Sequence, residues 1–280
     1  MKKRLIYMVF ALIFLVGLSL LLYPLVSNAL QEKRMGQVIE QYTQQVEEED
    51  QDARQWLQKA RAYNATLEGK DVPDAFALIT QQESDAYRAQ LAFREDGVMG
   101  YIQIPRISVN LPIYHGTTQE TLEQGAGHLE GSALPVGGEN THCVISAHRG
   151  LPSAAMFTDL DMLELGDHFY IYVLDQVLAY EVDQIKEVRP QETEDLNVQP
   201  GQDLVTLVTC TPYGVNTKRL LVRGHRVPYV QETVQEETRT PVSSVHTRYG
   251  MWVLWGLSVT AVLILGMVCI SRRTRKREAP

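Results

Sequence analysis

Three kinds of apolar spacing follow one another along the chain. Leu5 to Val26 is an uncharged run of 22 residues, long enough as a helix to cross a hydrocarbon core of ~30 Å. Met251 to Ile270 is a second such run of 20 residues, opening with Trp252 and Trp255 where an interfacial aromatic belt belongs. Between Gln31 and Gly69 the apolar positions Met35, Val38, Ile39, Tyr42, Val46, Ala53, Trp56, Leu57, Ala60, Tyr63 and Leu67 recur every three or four residues. That spacing predicts one or two amphipathic helices ending at Gly69, with the acidic run Glu47 to Asp50 as a solvated face or a break.

From Val98 the texture changes to short β-type runs bounded by Pro, Gly and Asn: VMGYIQI, ISVNLPIYH, CVISAH, HFYIYVL, LAYEVDQI, DLVTLVTC and RLLVRGHRV. Helical patterns intervene at Gln119 to Gln124 and Ser153 to Leu163. Seven or eight strands in so short a stretch predict a mainly β fold closed, or nearly closed, into a barrel, because closure removes exposed edges. The organisation predicted is a cytoplasmic end (1–4), a membrane helix or signal anchor (5–26), an amphipathic helical region (27–69), a long loop with some helix (70–97), the barrel (98–227), a polar tether (228–250), a second membrane helix (251–270) and a basic cytoplasmic tail (271–280).

Charge adds a direction to this plan. The formal net charge of −8 hides eight cations clustered at the two ends, Lys2, Lys3 and Arg4 and then Arg272, Arg273, Arg275, Lys276 and Arg277. Eighteen basic and thirty-three acidic residues remain between them, a formal charge of −15 that argues against a nucleic-acid partner. Excess cations mark the cytoplasmic side, so both termini are expected inside the cell and the acidic middle outside, in a multi-pass protein of the cell membrane. The alternative for the first run is a cleaved signal peptide ending at Ala29, but the run exceeds the ~7–15 residues of a signal's apolar region.

Cys269 lies in the second apolar run, which leaves Cys143 and Cys210 for chemistry. Outside the cell a disulfide between them, in a non-catalytic surface domain, is one reading. The other begins from Cys210, which ends DLVTLVTC and is followed by a Pro-Tyr-Gly turn that would present a thiol at a strand end. A cysteine nucleophile needs a base or a nearby cation. His148 follows an apolar strand, five residues after Cys143, and strand alternation puts those two on opposite faces. Arg219 opens RLLVRGH, where a hairpin through Gly214 and Asn216 would set it beside Cys210. No metal-ligand spacing and no phosphate-binding or dinucleotide fingerprint is present, so no metal and no cofactor is expected.

TLVTC at Thr206 to Cys210, SAHRG at Ser146 to Gly150 and Arg219 together resemble the sortase family of Gram-positive cell-surface transpeptidases, over roughly Val98 to Val227. A papain-like amidase would place cysteine before histidine in the chain, the reverse of the order found here. GYIQIPRISVNLPIYHGT, HRGLPSAAMFTDLDML and TPYGVNTKRLLVRGHR resemble blocks of class C, the pilin-polymerising sortases. The resemblance implies a sortase-type barrel with Cys210, His148 and Arg219 catalytic. It further implies cleavage of an LPxTG-like sorting signal between Thr and Gly and transfer of the acyl group to a pilin lysine, with attachment to peptidoglycan precursor as the alternative. Class C also commonly carries a lid with an Asp-Pro-aromatic motif. Here Asp74 and Phe76 match it, while Ala75 replaces the proline.

Overall fold

The computed structural model describes residues 2–48, 50–67, 72, 85–239, 241–242 and 249–260. They fall into two units, Met1–Leu25 with Ser243–Pro280, and Val26–Val242. The first unit contains the start of α1 (Lys2–Glu48), the one helix among the described residues that is long and apolar enough to cross a membrane. Its described apolar side chains are largely unburied, Leu12 by 63% and Leu20 by 72%. Residues 249–260 are also helical, and Tyr249 donates its hydroxyl to the Leu21 carbonyl at 3.0 Å. The remainder of the second apolar run and the basic tail lie outside the described residues.

In the second unit α1 runs on to Glu48 and α2 (Asp50–Ala65) follows, so the acidic run is where one helix gives way to the next. The three-and-four spacing is used as anticipated: Met35, Ile39, Tyr42, Ala53, Leu57 and Ala60 are all buried. Tyr42 ties α1 to the barrel, donating to the Met99 carbonyl at 3.0 Å and accepting from the Leu174 amide at 2.7 Å. A short α3 (Asp85–Arg88) leads into the first strand, burying Tyr87.

The barrel is built from β1 (Val98–Ile104), β2 (Val109–His115), β3 (Ala126–His128), β4 (Thr141–Ser146), β5 (His168–Val173), β6 (Gln176–Val188), β7 (Asp203–Thr211) and β8 (Lys218–Val227), with α4 (Gln119–Gln124) between β2 and β3. The strands close in the order β1-β2-β3-β4-β7-β8-β6-β5. Two neighbouring pairs are parallel, β2 with β3 and β4 with β7, and the rest antiparallel. Alternate residues face inward: Cys143, Ile145, Val205, Leu207, Leu220 and Val222 join the main core, while Val144, Val208 and Leu221 belong to a separate outer cluster. Closure between β1 and β5 requires Gly100, since a Cβ there would stand 2.4 Å from the Tyr172 carbonyl oxygen.

Two segments differ from the sequence reading. Residues Ser153 to Leu163 form turns with only a 3₁₀ turn at Leu160–Met162. Ala154, Phe157, Leu160 and Leu163 are all buried, and a strict spacing of three matches a 3₁₀ repeat better than an α-helical face. The polar tether contains a helix, α5 (Gln231–Arg239). It is held to the barrel by buried Val234, packed with Tyr170 and Ala179, and by Glu237, which takes hydrogen bonds from His168 at 2.8 Å and Tyr170 at 3.2 Å.

Candidate active site

β7 lies between β4 and β8, and its register with each neighbour brings three distant parts of the chain to one level. On the parallel side the pairing reaches Ser146 opposite Val208. It continues one step further, because the Ala147 amide donates to the Val208 carbonyl at 3.2 Å and Thr209 Oγ1 donates to the Ala147 carbonyl at 2.8 Å. The next step sets His148 level with Cys210. On the antiparallel side Cys210 and Arg219 are direct partners. Adjacent strands are ~4.8 Å apart and aligned residues share a face, so His148, Cys210 and Arg219 form one row across the outside of the sheet.

Cys143 is elsewhere. It pairs with Val205, five residues below Cys210 and on the inward face, a separation of ~16 Å along the strand where a disulfide tolerates ~7 Å. Both residues are thiols, which removes the disulfide-bridged surface domain. Burial pushes the Cys143 thiol well above its ordinary range, leaving an inert core residue.

Charge is graded along the row. Arg219 is buried to 9% exposure and points Nη1 at Cys210 Sγ, 3.6 Å away, while the same nitrogen donates to the Lys218 carbonyl at 3.4 Å. Negative charge arising at this point would meet a guanidinium already in place. His148 is half-buried, and burial pushes its imidazole below the ordinary value of 6.5, against the opposing pull of the Glu123 carboxylate. An imidazole here can accept a proton and return it.

The neighbours of these residues hold the row together, and sequence reasoning gave them no role. Arg149, next to His148, donates to Thr211 Oγ1 at 3.3 Å and pairs with Asp161. Thr211, next to Cys210, donates its hydroxyl hydrogen bond to Glu187 Oε1 at 3.3 Å, and Glu187 accepts from Lys218 Nζ at 3.1 Å. With Thr209 bound to Ala147, both residues flanking the thiol are thus tied to both residues flanking the imidazole. Gly150 lets the loop fold back at φ +77°, where a Cβ would press on the Tyr213 ring at 3.1 Å. The one signal for Arg149 was its place beside His148 in SAHRG.

Below the row the outer face is apolar: Val144, Val208, Leu221, Leu129, Leu196 and Val72 pack together. Ser146 sits among them, fully buried, and its hydroxyl has no hydrogen-bond partner among the described residues. Asp74 and Phe76 lie outside the described residues. Also among the described residues, no group of three or more His, Cys, Asp or Glu side chains is placed to hold a metal ion. A thiol between an imidazole and a guanidinium is equipped for acyl transfer: attack on a carbonyl carbon, proton exchange with the leaving and entering groups, and stabilisation of the oxyanion.

Comparison with known proteins points the same way. A family model described as the Sortase domain matches residues 102–227. Sortase D of Bacillus subtilis (strain 168) is 31% identical over 153 residues, covering 53% of this chain and 74% of that protein. Among solved structures, sortase C of Streptococcus pneumoniae is 45% identical, covering 69% of this chain and 97% of that one at a TM-score of 0.62. Sortase C1 of Streptococcus agalactiae is 46% identical, covering 69% and 100% at 0.64.

Proposed function

Because this chain belongs to the sortase family of cysteine transpeptidases, we propose that Cys210, His148 and Arg219 carry that reaction here and that its product is a covalent pilus shaft. The observation that carries the reading is the single row of side chains across β4, β7 and β8. Cys210 attacks the Thr carbonyl of an LPxTG-like sorting signal and forms a thioacyl intermediate, splitting one difficult exchange into two easier ones. His148 hands the proton lost by the Cys210 thiol to the departing Gly amine, then takes one from the incoming nucleophile and returns it to the sulfur. Arg219 faces the oxyanion formed in each half.

The choice of pilin as substrate is supported by the solved structures this chain is similar to, one of them described for its pilin substrate specificity and another as pilus-related, and a pilin lysine is the acceptor this reading entails. Attachment to the cell membrane, with both termini cytoplasmic and the barrel outside, is supported by the apolar start of α1 and by the cations at the outer ends of the two apolar runs. Asp74 and Phe76 remain part of the proposal as a lid over the row. The support is Val72, two residues before Asp74, which is buried against Val208 and Leu221 on the same outer face as Cys210.

The test is reconstitution of the full chain with a pilin bearing its sorting signal. A ladder of linked pilins is expected with wild-type pilin and none when its acceptor lysine is replaced by arginine. Equal product with either pilin, or product only when a peptidoglycan-precursor amine is added, would overturn the choice of acceptor.

A further inference from the structure

The buried stripe of α1, formed by Tyr42, Ile39 and Met35, continues toward the N-terminus at the same spacing of three or four through Gln31 and Asn28, where it turns from apolar to polar. The change follows what the stripe meets. Met35 packs in the main core, whereas Gln31 donates to the Glu123 carbonyl at 3.2 Å, Asn28 Oδ1 accepts from the Ala155 amide at 2.7 Å and Ser27 donates to the Ser153 carbonyl at 3.4 Å. All three partners are backbone groups outside the strands.

Ser153 and Ala155 belong to the connection that leaves His148, and this connection closes on itself. The Phe157 amide donates to the His148 carbonyl at 3.0 Å, the Gly150 amide to Thr158 Oγ1 at 3.1 Å, and the Thr158 amide to the Ala155 carbonyl at 2.8 Å. A line of hydrogen bonds therefore runs from Asn28 through Ala155 and Thr158 to Gly150, just beyond the imidazole. Met156, in the same stretch, is buried with φ +45°, a backbone conformation that a residue with a side chain keeps only where its surroundings hold it. The Asn28 bond is made to the residue before it and the His148 bond to the residue after it.

An asparagine suits this place because both ends of its amide are used. Oδ1 takes the Ala155 amide, while Nδ2 donates to Glu32 Oε1 at 2.8 Å, one turn further along α1, which sets the direction of the side chain.

We propose that Asn28 is a positioning residue for the transpeptidase reaction: through the Ala155 amide it holds the loop that fixes the backbone of His148, so that α1 is part of the active-site scaffold. The inference rests on the transpeptidase reading above. Asn28 touches no reacting atom. Its effect reaches the chemistry through the place of the imidazole relative to Cys210, and proton transfer between such groups depends steeply on their geometry. Cleavage after Ala29 would remove Ser27 and Asn28 together, so the arrangement requires an uncut α1.

The test is steady-state cleavage of an LPxTG-type peptide by the full chain, with kcat taken per folded molecule and a melting curve for each variant. Asn28→Ala is expected to lower kcat by about tenfold and to leave KM within about twofold of wild type. Asn28→Asp combined with Glu32→Gln keeps both hydrogen bonds with donor and acceptor exchanged, and is expected to recover most of the lost kcat. Lys33→Ala, on the exposed side of the same helix, leaves kcat unmoved. An unchanged kcat in Asn28→Ala, whether or not KM or the melting temperature moves, would overturn the proposal, as would a paired variant no faster than Asn28→Ala. A wild-type chain that cleaves no such peptide would instead overturn the transpeptidase reading, and this inference with it.

Discussion

Cys210 and Arg219 are opposite one another in the β7–β8 ladder, with the guanidinium Nη1 3.6 Å from the sulfur. Two residues nine apart in the chain are thus fixed by backbone hydrogen bonding, which leaves little of the geometry to side-chain rotamers. If Arg219 faces the oxyanion, Arg219→Ala should lower kcat by ~10²–10³, the usual loss for one such donor. Arg219→Lys should recover only a fraction, because an ammonium lacks the planar fork. Steady-state cleavage of a sorting-signal peptide, with thermal melting as a folding control, checks both.

Arg149 and Thr211 offer a different kind of test, since neither belongs to the row. Their contact spans the step from β4 to β7 beside the imidazole and the thiol. Thr211→Val removes it with little change in volume. A displacement approaching 1 Å between reacting groups is worth up to ~10²-fold, so a fall in kcat of about tenfold or more with KM nearly unchanged is expected. A purely structural role would show as a lower melting temperature with kcat preserved in the folded fraction.

Acid should weaken the fold through His142. Its Nδ1 donates to the Asn197 carbonyl at 2.9 Å, its Nε2 accepts from Thr206 Oγ1 at 2.7 Å, and burial holds the ring down to about 4. A folded value below the ordinary 6.5 means that the unfolded chain binds the proton more readily. Stability is then full above pH ~6.5 and falls by about 3 kcal/mol per such histidine as pH drops toward ~4. Buried His128, also held to about 4, adds to the same window. Denaturant midpoints across that range should show the slope, and His142→Gln should flatten it in part.

Gly150→Ala should destabilise the protein by roughly 1–3 kcal/mol, the range for a residue held in a disfavoured backbone region. The position combines φ +77° with a ring 3.1 Å from the added carbon, so the HRG turn and Tyr213 cannot both keep their places. Melting curves measure the loss, and because the turn follows His148 the peptide-cleavage rate should fall with it.

Alternation and strand ends made most of the site legible in the sequence. The odd spacing between Cys143 and His148 separated a core thiol from the outer row, and the hairpin after Cys210 located Arg219. What could not be read was lateral. β3 is three residues, Ala-Gly-His, too short for a periodic signal, yet it is the strand that joins β2 to β4 in the closed barrel. Arg149, Thr211 and Glu187 come from three strand ends whose proximity depends on barrel order, β4-β7-β8-β6, which no local pattern encodes. The helix at Gln231–Arg239 was hidden for a related reason, since a short polar stretch folds there on the strength of Val234 and Glu237 meeting barrel residues.

The most direct measurement is intact-mass spectrometry of the full chain incubated with an LPxTG-type peptide, set against Cys210→Ala and Cys143→Ala. An added mass equal to the peptide acyl group is expected on the wild type and on Cys143→Ala, with none on Cys210→Ala. An adduct that survives in Cys210→Ala, or one lost only with Cys143, would contradict the account.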